Sequence, residues 1–367
     1  MNPQDERSAT SAPLRIGFIG AGLVVQAIHL PTLVRLGRDF AVTVVQSRRE
    51  ETAKATAERV GARWTTSVDE LVSDPDVEVV AVCSPREQHA EHVIAAMRAG
   101  KKAVLCEKPF TADVESAQRI SQVSEETGVP VLVAAMHEYD EAWRVGSGMV
   151  DGLGEAPAVV RSTISLPSTG LFVGLSTQFT PSAPSAVSEA APEVDPAVLA
   201  AEAVRNAVLE LGVHDMPMIR RLLPDWREVE VVSAAPTAPF GYDIVLRTGR
   251  SLISLVAVLH DQWRARWELE AIAPAGVLRL DFTPSWVHAG SGTATLTDAR
   301  AVESVLSTSS NGYEGEWIAL ARAARGADPM IDSLRGAVDD LDFTVRVAEG
   351  AARVVLAGSV ALEEVAS

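Results

Sequence analysis

The sequence is poor in cysteine and aromatic residues, and it has no long apolar run. Its 367 residues include two cysteines, Cys83 and Cys106, and aromatic residues make up 5% of the chain. Both cysteines lie in apolar, strand-like runs and cannot form a disulfide framework, which favours a reduced, cytoplasmic setting. No apolar stretch approaches the roughly 18 residues that cross a bilayer. Residues 1–12 lack the apolar core of a signal peptide. We therefore expect a cytoplasmic protein without a membrane partner.

Positive charge is scarce as well. The chain has 32 lysine and arginine residues against 49 aspartate and glutamate residues, a formal net charge of −17. Phosphate backbones and acidic lipids attract cationic faces, so nucleic acid and membrane surfaces are not expected partners. A small anionic ligand held by a few local cations remains compatible with this balance. Four of the cations are lysines, which draws attention to the positions where lysine is kept, namely Lys54, Lys101, Lys102 and Lys108.

The first part of the chain, residues 12–137, alternates short apolar runs with helical stretches. The predicted strands are 15–19, 41–45, 77–82, 103–105 and 131–134, and the predicted helices are 24–36, 50–60, 88–99 and 113–127. Continuous apolar strands alternating with helices are typical of a buried parallel sheet. We predict an α/β domain with a doubly wound parallel sheet.

The second part, residues 138–367, has a different pattern. Residues 162–204 contain no lysine or arginine and five prolines, which predicts a long loop that is either a lid or an unstructured insertion. A helical stretch (197–223) follows, and two helices (314–324 and 333–355) close the chain. Between them, apolar segments predict an antiparallel meander over 229–233, 242–247, 251–257, 263–272, 276–282 and 293–296.

A glycine turn, Gly20-Ala21-Gly22-Leu23-Val24, stands between the first predicted strand and the first helix. The first glycine permits a tight turn, and the second lets a pyrophosphate approach the amide groups at the helix N-terminus. Val25 replaces the third glycine of the usual pattern. In this strand–turn–helix context the turn predicts a dinucleotide site rather than a merely structural turn.

The segment after the second strand indicates which dinucleotide is bound. A site selective for NAD(H) places an acidic residue there to bind the ribose 2′-hydroxyl. This chain has Ser47-Arg48-Arg49 instead, and guanidinium groups pair well with a 2′-phosphate. We predict NADP(H) in preference to NAD(H). The alternative is that both arginines only solvate the start of a helix.

Two further motifs resemble one family. They are Cys83-Ser84-Pro85-Arg86-Glu87-Gln88-His89 and Glu107-Lys108-Pro109, followed much later by Leu211-Gly212-Val213-His214-Asp215. Together with the glycine turn they resemble the glucose–fructose oxidoreductase, inositol dehydrogenase and rhizopine-catabolism (Gfo/Idh/MocA) family. The resemblance implies a Rossmann domain, and a C-terminal α+β domain with a large, mostly antiparallel open sheet through which the chain forms a dimer or tetramer.

The resemblance also implies roles for particular residues. In that family the lysine and histidine matching Lys108 and His214 form the catalytic pair, and an aspartate often stands where this chain has Glu210. Cys83, Ser84, Pro85, His89 and Glu107, together with Lys108, are expected at the cofactor. No Cys, His or Asp clustering suggests a metal site.

The residues support this chemistry on their own. Hydride transfer to or from an alcohol carbon needs a group that moves the hydroxyl proton and a cation near the oxygen. His214 suits the first role and Lys108 the second. Glu210 is four residues before His214 and would share its helical face, although Pro217 predicts that this helix kinks or restarts near Asp215.

The substrate side departs from the family pattern. Asn206 lies where paired glycines are usual, and Glu138 replaces an arginine. Tyr139, Trp143 and Asn206 are the predicted substrate contacts beside His214. We predict an NADP(H)-dependent oxidoreductase acting on a small polyhydroxylated substrate, a sugar, cyclitol or sugar-like metabolite. The alternatives are a catalytically silent cofactor-binding or regulatory protein, and a reductase of an imine or a tetrapyrrole-like substrate.

Overall fold

The computed structural model describes residues 12–151, 155–176, 179, 195–262, 264–284, 286, 290–329 and 333–366. Its first sheet is parallel and has six strands: β1 (Leu14–Ile19), β2 (Phe40–Gln46), β3 (Arg63–Thr65), β4 (Val79–Val82), β5 (Ala103–Cys106) and β6 (Val131–Val133). They follow the order β3-β2-β1-β4-β5-β6. This is the doubly wound order, with its crevice outside the carboxyl ends of β1 and β4. The predicted fold class of this half is confirmed.

Five helices cover the first sheet: α1 (Leu30–Arg35), α2 (Glu50–Glu58), α3 (Val68–Ser73), α4 (His89–Arg98) and α5 (Val114–Thr127). A π-helical turn, Val25–His29, precedes α1 within the single helix predicted over 24–36. Pro31 has no amide to donate to the carbonyl four residues back, and Leu30 donates to Val25 five residues back. Both β3 and α3 escaped prediction because they are too short to display a period.

The described residues of the second half form six helices and eight strands. The helices are α6 (Glu141–Asp151), α7 (Thr169–Ser176), α8 (Pro196–Glu210), α9 (Met216–Leu222), α10 (Gly312–Ala324) and α11 (Leu334–Ala366). The strands are β7 (Val159–Pro167), β8 (Glu230–Pro236), β9 (Phe240–Arg247), β10 (Leu252–His260), β11 (Arg266–Ala273), β12 (Gly276–Asp281), β13 (Thr293–Asp298) and β14 (Glu303–Ser307). They form one open sheet in the order β14-β13-β12-β11-β7-β10-β9-β8.

Strand β7 lies partly where the sequence predicts a loop. The loop predicted from residue 162 is wrong for residues 162–176, which form the rest of β7 and α7. β7 lies in the middle of the sheet, parallel to β10 and antiparallel to β11, so the meander is interrupted at this point. Its buried positions include Ser162 as well as Val160 and Ile164, and the serine-rich composition hid the alternation. Residues 177–178 and 180–194 lie outside the described residues, so the lid or insertion stays a prediction.

Helices from the end of the chain connect the two halves. Trp317 of α10 is fully buried in the core of the first sheet, with its ring edge-on to Phe18 and Phe40 at 5.8 and 5.4 Å. Leu341 of α11 joins the other core layer of that sheet. The sheets themselves separate between Val133 and Val159, whereas the predicted boundary at residue 137 stays a prediction. None of the described helices combines the length and apolar character needed to span a bilayer.

We expect Gly312→Ala to lower the free energy of unfolding by about 1–3 kcal/mol, because a Cβ at Gly312 would overlap the carbonyl oxygen of Met136 and α10 would have to shift. Gly148→Ala is the matched control, since Gly148 is exposed in α6 and its Cβ would meet nothing within 4 Å. Denaturant titration measures both. Equal stability of the two variants would contradict close docking of α10.

Candidate active site

A cavity of about 510 Å³ lies where the carboxyl ends of the first sheet face the second sheet. One wall comes from the segments that follow β1, β4, β5 and β6, and the other from α8, β7, β9, β10 and β11. All three predicted catalytic residues line it, namely Lys108, Glu210 and His214. The structure therefore brings together residues that are about 100 positions apart in the sequence.

Lys108 reaches the cavity from the loop after β5. Its Nζ donates a hydrogen bond of 3.3 Å to the backbone carbonyl of Glu210. Burial lowers the pKa of Lys108 below its ordinary value, and the charges of Glu107 and Glu210 oppose that change in part. A lysine in this state holds a proton that it can release more readily than a solvated lysine does.

His214 faces Lys108 from a single 3-10 turn, Gly212–His214. Burial lowers the pKa of His214 well below its ordinary value, and the positive charge of Lys108 and the neighbouring His137 act in the same direction. Its Nδ1 is buried with no hydrogen-bond partner among the described residues. The ring is therefore neutral at pH 7, and Nε2 is the nitrogen available to exchange a proton.

The helix predicted to carry both Glu210 and His214 is divided. α8 ends at Glu210, and α9 begins at Met216 with Pro217 in its first turn, which agrees with the restart predicted near Asp215. The predicted common helical face is wrong, because the 3-10 turn rotates His214 away from the α8 register. Lys108 contacts the carbonyl of Glu210, and the Glu210 carboxylate is left exposed at the cavity.

Asp215 anchors the wall behind His214. Its buried carboxylate accepts hydrogen bonds from Ser162 Oγ at 2.6 Å and Trp267 Nε1 at 2.8 Å, and its Oδ1 lies 3.3 Å from His137 Nδ1. The His137 ring also stacks on Phe282, with centroids 3.9 Å apart. One carboxylate thus ties β7, β11 and the segment after β6 to the turn that carries His214.

The glycine turn has the shape that a pyrophosphate requires. Gly20 has φ +101°, and a Cβ there would overlap the carbonyl of Cys83. A Cβ at Gly22 would meet nothing within 4 Å, so open space lies over this turn. Ala21 is buried and its carbonyl accepts Gln26 Nε2, whereas Val24 lines the cavity. Leu23 lies between them, half-buried. The turn therefore fits a dinucleotide whose far end reaches the cavity.

Ser47, Arg48 and Arg49 follow β2 directly. Within the described part of the chain, neither guanidinium makes a hydrogen bond or an ion pair, and both side chains are exposed. Ser47 Oγ accepts the amide of Arg49 at 3.4 Å. The unpaired guanidinium groups of Arg48 and Arg49 thus lie at the end of β2, where this fold recognises the ribose of a dinucleotide.

The segment Cys83-Ser84-Pro85 after β4 is held in place by His89. The buried His89 ring has Nε2 2.7 Å from the Ser84 carbonyl and Nδ1 3.1 Å from the carbonyls of Pro109 and Phe110. The amide of Cys83 donates to Ile19 at 2.7 Å. His89 therefore joins the loops after β4 and β5, and its ring lies beneath them rather than in the cavity.

The structure does not bring three predicted substrate contacts to the cavity. Trp143 is fully buried in the core of the second half, and the Tyr139 hydroxyl donates to the Val133 carbonyl within the packing against α10. Asn206 is half-buried on α8. Tyr139 and Trp143 were predicted as substrate contacts because they follow the end of a strand. The 3-10 turn Met136–Tyr139 buries the Tyr139 side chain instead, and Trp143 is buried from α6.

Other cavity residues were missed. They are the apolar and aromatic side chains of the wall, Met136, Leu166, Phe240, Leu259, Trp267, Trp286 and Tyr313, with the ion pair Arg86–Glu87 from the β4 side. They come from the segments after β4 and β6, from strands of the second sheet, from the segment after β12 and from α10, and no local pattern joins them. The described residues contain no group of three or more His, Cys, Asp or Glu side chains able to hold a metal ion.

A doubly wound sheet with a glycine turn, joined across a cavity to an open sheet, defines a two-domain dinucleotide-binding fold. Residues 14–135 match the model of an oxidoreductase family with an NAD-binding Rossmann fold, the Gfo/Idh/MocA family. This match covers about a third of the chain.

Curated relatives match part of the chain. Inositol 2-dehydrogenase 3 of Saccharopolyspora erythraea is 36% identical over 142 residues, which are 38% of this chain and 41% of the relative. The dTDP-3,4-didehydro-2,6-dideoxy-α-D-glucose 3-reductase of Actinomadura kijaniata is 34% identical over 146 residues, 40% of this chain and 43% of the relative. The chain thus matches about two fifths of the length of these relatives.

Solved structures are similar over nearly the whole chain. A 3-ketoreductase from Actinomadura kijaniata in complex with NADP and TDP-benzene has a TM-score of 0.67 at 20% identity, covering 92% of this chain and 98% of the other. An oxidoreductase from Thermotoga maritima has a TM-score of 0.66 at 21% identity, covering 94% and 97%. These likenesses establish the fold of both halves.

We expect Asp215→Asn to lower the free energy of unfolding by roughly 1–3 kcal/mol. One of the two carboxylate oxygens becomes an NH₂ group, which cannot accept the hydrogen bond that this oxygen accepts now. Asp243→Asn is the control, since Asp243 is exposed on β9 and makes no such bonds. Denaturant titration with tryptophan fluorescence measures both. If Asp215→Asn loses no more unfolding free energy than Asp243→Asn, the anchoring role is refuted.

Proposed function

We propose that the protein is an NADP(H)-dependent oxidoreductase that moves a hydride between the nicotinamide and a hydroxyl or keto carbon of a sugar, cyclitol or sugar-like metabolite. The observation that carries the proposal is the meeting of Lys108, Glu210 and His214 at a cavity whose edge is formed by the glycine-turn segment. A lysine and a neutral histidine facing one cavity suit reversible proton transfer at an alcohol oxygen.

The cofactor would be held along the crevice of the first sheet. Gly20 and Gly22 would admit the pyrophosphate, and Arg48 and Arg49 with Ser47 would bind the 2′-phosphate. The Cys83-Ser84-Pro85 segment and the Glu107–Lys108 peptide would flank the nicotinamide end. When bound, the cofactor supplies or accepts the hydride at the substrate carbon.

The chain's own residues would handle the proton. In the reductive direction, Lys108 donates a proton to the oxygen as it gains charge, and its lowered pKa favours that transfer. In the oxidative direction the same step runs backwards: neutral Lys108 takes the hydroxyl proton, while neutral His214 accepts a hydrogen bond from the substrate hydroxyl at Nε2. The exposed Glu210 carboxylate at the cavity is suited to hold a substrate hydroxyl.

The substrate class and the assembly are proposed from likeness. The curated relatives are named for acting on inositol and on a dTDP-linked deoxysugar. Exposed Val232, Leu252 and Val305 on strands of the open sheet are compatible with self-association as a dimer or tetramer. The low cysteine content supports a cytoplasmic location.

We expect Lys108→Met and His214→Ala each to reduce kcat by about 10²–10⁴-fold on a panel of keto-sugars and cyclitols, because the first removes the proton-transfer group and the second removes the acceptor that orients the substrate hydroxyl. NADPH binding, followed by fluorescence, should remain close to wild type in His214→Ala. Lys102→Met is the matched control, since Lys102 pairs with Glu78 at the surface. A silent cofactor-binding protein would bind NADPH and turn over no substrate even as wild type.

We expect the double variant Arg48→Ala/Arg49→Ala to weaken NADPH binding by about 10- to 100-fold, because hydrogen bonds to charged groups contribute roughly 1.5–3 kcal/mol. Its affinity for NADH should not change, because NADH has no 2′-phosphate. Arg98→Ala is the control, because Arg98 is an exposed arginine at the C-terminal end of α4, the end opposite to the loop after β4. Equal wild-type affinities for NADPH and NADH would overturn the proposed preference.

A further inference from the structure

A chain of buried polar groups runs behind Lys108 and ends in α10. It consists of Glu107, His29 and Glu316, with Trp317 beside them. His29 Nε2 lies 3.0 Å from Glu107 Oε1, and His29 Nδ1 lies 3.6 Å from Glu316 Oε1. The imidazole is fully buried. His29 and Glu316 do not line the cavity.

The hydrogen bonds determine where the imidazole proton is. Trp317 Nε1 lies 3.2 Å from His29 Nδ1, and an indole nitrogen can only donate. Nδ1 is therefore the acceptor, and the ring proton lies on Nε2, directed at Glu107. Glu107 uses its other oxygen, Oε2, to accept the backbone amide of Lys108 at 3.0 Å. One carboxylate is thus held from both sides, by the imidazole and by the peptide of the proposed catalytic lysine.

Glu316 occupies the far end of this chain. Its side chain is 1% exposed, and neither carboxyl oxygen has a hydrogen-bond partner among the described residues. Burial, with the charge of Glu107, raises the pKa of Glu316 well above its ordinary value, so the group is a neutral acid. A neutral acid next to Nδ1 can offer a proton and adds no second negative charge, which is compatible with Nδ1 remaining an acceptor.

We propose that His29, held by Trp317 and Glu316 of α10, is a positioning residue that keeps Glu107 ionised and fixed behind Lys108, and so sets the charge state of Lys108. This inference rests on the proposed function for its catalytic meaning. The arrangement of Glu107, His29, Glu316 and Trp317, and its effect on the charge of Lys108, can be tested without measuring turnover.

The electrostatic argument has two steps. Burial alone would raise the pKa of Glu107, but the hydrogen bond from His29, with the charge and the backbone amide of Lys108, holds that pKa below its ordinary value. The charge of Glu107 in turn raises the pKa of Lys108 against the effect of burial. Without the His29 donor, Glu107 takes up a proton more readily, and a neutral Glu107 leaves Lys108 with a still lower pKa.

Other titratable groups around this pair do not replace His29. The thiols of Cys83 and Cys106 have pKa values raised well above the ordinary value by burial and stay neutral. On the cavity side the neighbours are His214, whose lowered pKa keeps it neutral, and three charged groups, Glu210, Arg86 and Glu87. Of these three, Arg86 and Glu87 pair with each other, and Glu210 acts on Lys108 rather than on Glu107.

The composition of the chain makes a direct measurement possible. There are four lysines, so ¹³C-lysine labelling gives four Cε resonances whose pH midpoints can be followed separately by NMR. The Lys108 signal is assigned by its loss in Lys108→Met. In His29→Leu we expect the Lys108 midpoint to fall by about one pH unit or more, because an opposite charge nearby shifts a pKa by about that amount. The midpoints of Lys54 and Lys102 should not move.

Three further variants keep the test decisive. Glu107→Gln removes the charge directly and should lower the Lys108 midpoint as His29→Leu does, even if His29→Leu folds poorly. His29→Gln retains a donor near the Nε2 position and should restore the wild-type midpoint. Glu316→Gln is neutral like the native acid and should also match wild type, whereas a fall as large as that in His29→Leu would overturn the neutral assignment.

An unchanged Lys108 midpoint in folded His29→Leu would overturn the positioning role. The alkaline limb of the pH profile for ketone reduction should follow the NMR midpoint across the same variants, because Lys108 must be protonated to donate. Absence of turnover in the wild type would defeat the proposed function and leave the NMR result to decide this inference separately.

Discussion

The docking of α10 on the first sheet is the contact on which the rest of the structure depends. Trp317 fills the core beside Phe18 and Phe40, and close approach of the α10 backbone to Met136 and Tyr139 requires glycine at positions 312 and 315. Burying a tryptophan in this way contributes several kcal/mol, on the scale of about 3–5 kcal/mol lost when such a side chain is truncated. Lys108 belongs to one sheet and His214 to elements of the other, so this contact, with the packing of α11 into both cores, helps to hold them at one cavity. It also delivers Glu316 and Trp317 to His29, so the same helix that joins the halves completes the hydrogen bonds behind Lys108.

How far the sequence predicts this arrangement depends on the range of the interactions involved. Five of the six strands of the first sheet and the glycine turn were predicted within a few residues, because their apolar runs and turn residues are local signals. Lys108 and His214 were found through motifs, and the structure places both at the cavity. Strand β7 was missed because Ser162 replaces an apolar residue at a buried position, and its hydrogen bond to Asp215, 53 residues away, has no local signal. Tyr139 and Trp143 failed as substrate contacts for a related reason, since neither the direction of a short 3-10 turn nor the docking of α10 can be read from spacing.

Asp215 and His29 play parallel parts on the two sides of the cavity. Each is buried next to a proposed catalytic residue, and each is surrounded by groups that fix its hydrogen bonds. Asp215 receives donors from Ser162 and Trp267, and His29 receives the indole N–H of Trp317. Buried polar groups with complete sets of partners rigidify the elements that supply them. Groups that exchange protons need such supports, because a displacement of about 1 Å is enough to weaken transfer. The exception is the carboxyl of Glu316, which is buried with no hydrogen bond among the described residues and costs stability unless it acts on His29.

The lysines show why a shifted pKa alone does not identify a site. Burial lowers the pKa of Lys101 as it does that of Lys108. Lys101 directs Nζ to the carbonyls of Asp74 and Val77, both at 2.8 Å, and these fixed acceptors close the loop between α3 and β4. Lys108 has one longer bond of 3.3 Å, to the Glu210 carbonyl, and lines a cavity opposite a neutral histidine. An ammonium with two short bonds to fixed carbonyls is held by the fold, whereas one with a single longer bond has more donors left for a ligand. This difference between Lys101 and Lys108 matters because the chain otherwise uses arginine for most of its cations. A guanidinium could have made either set of contacts, but it could not have given up a proton at the cavity.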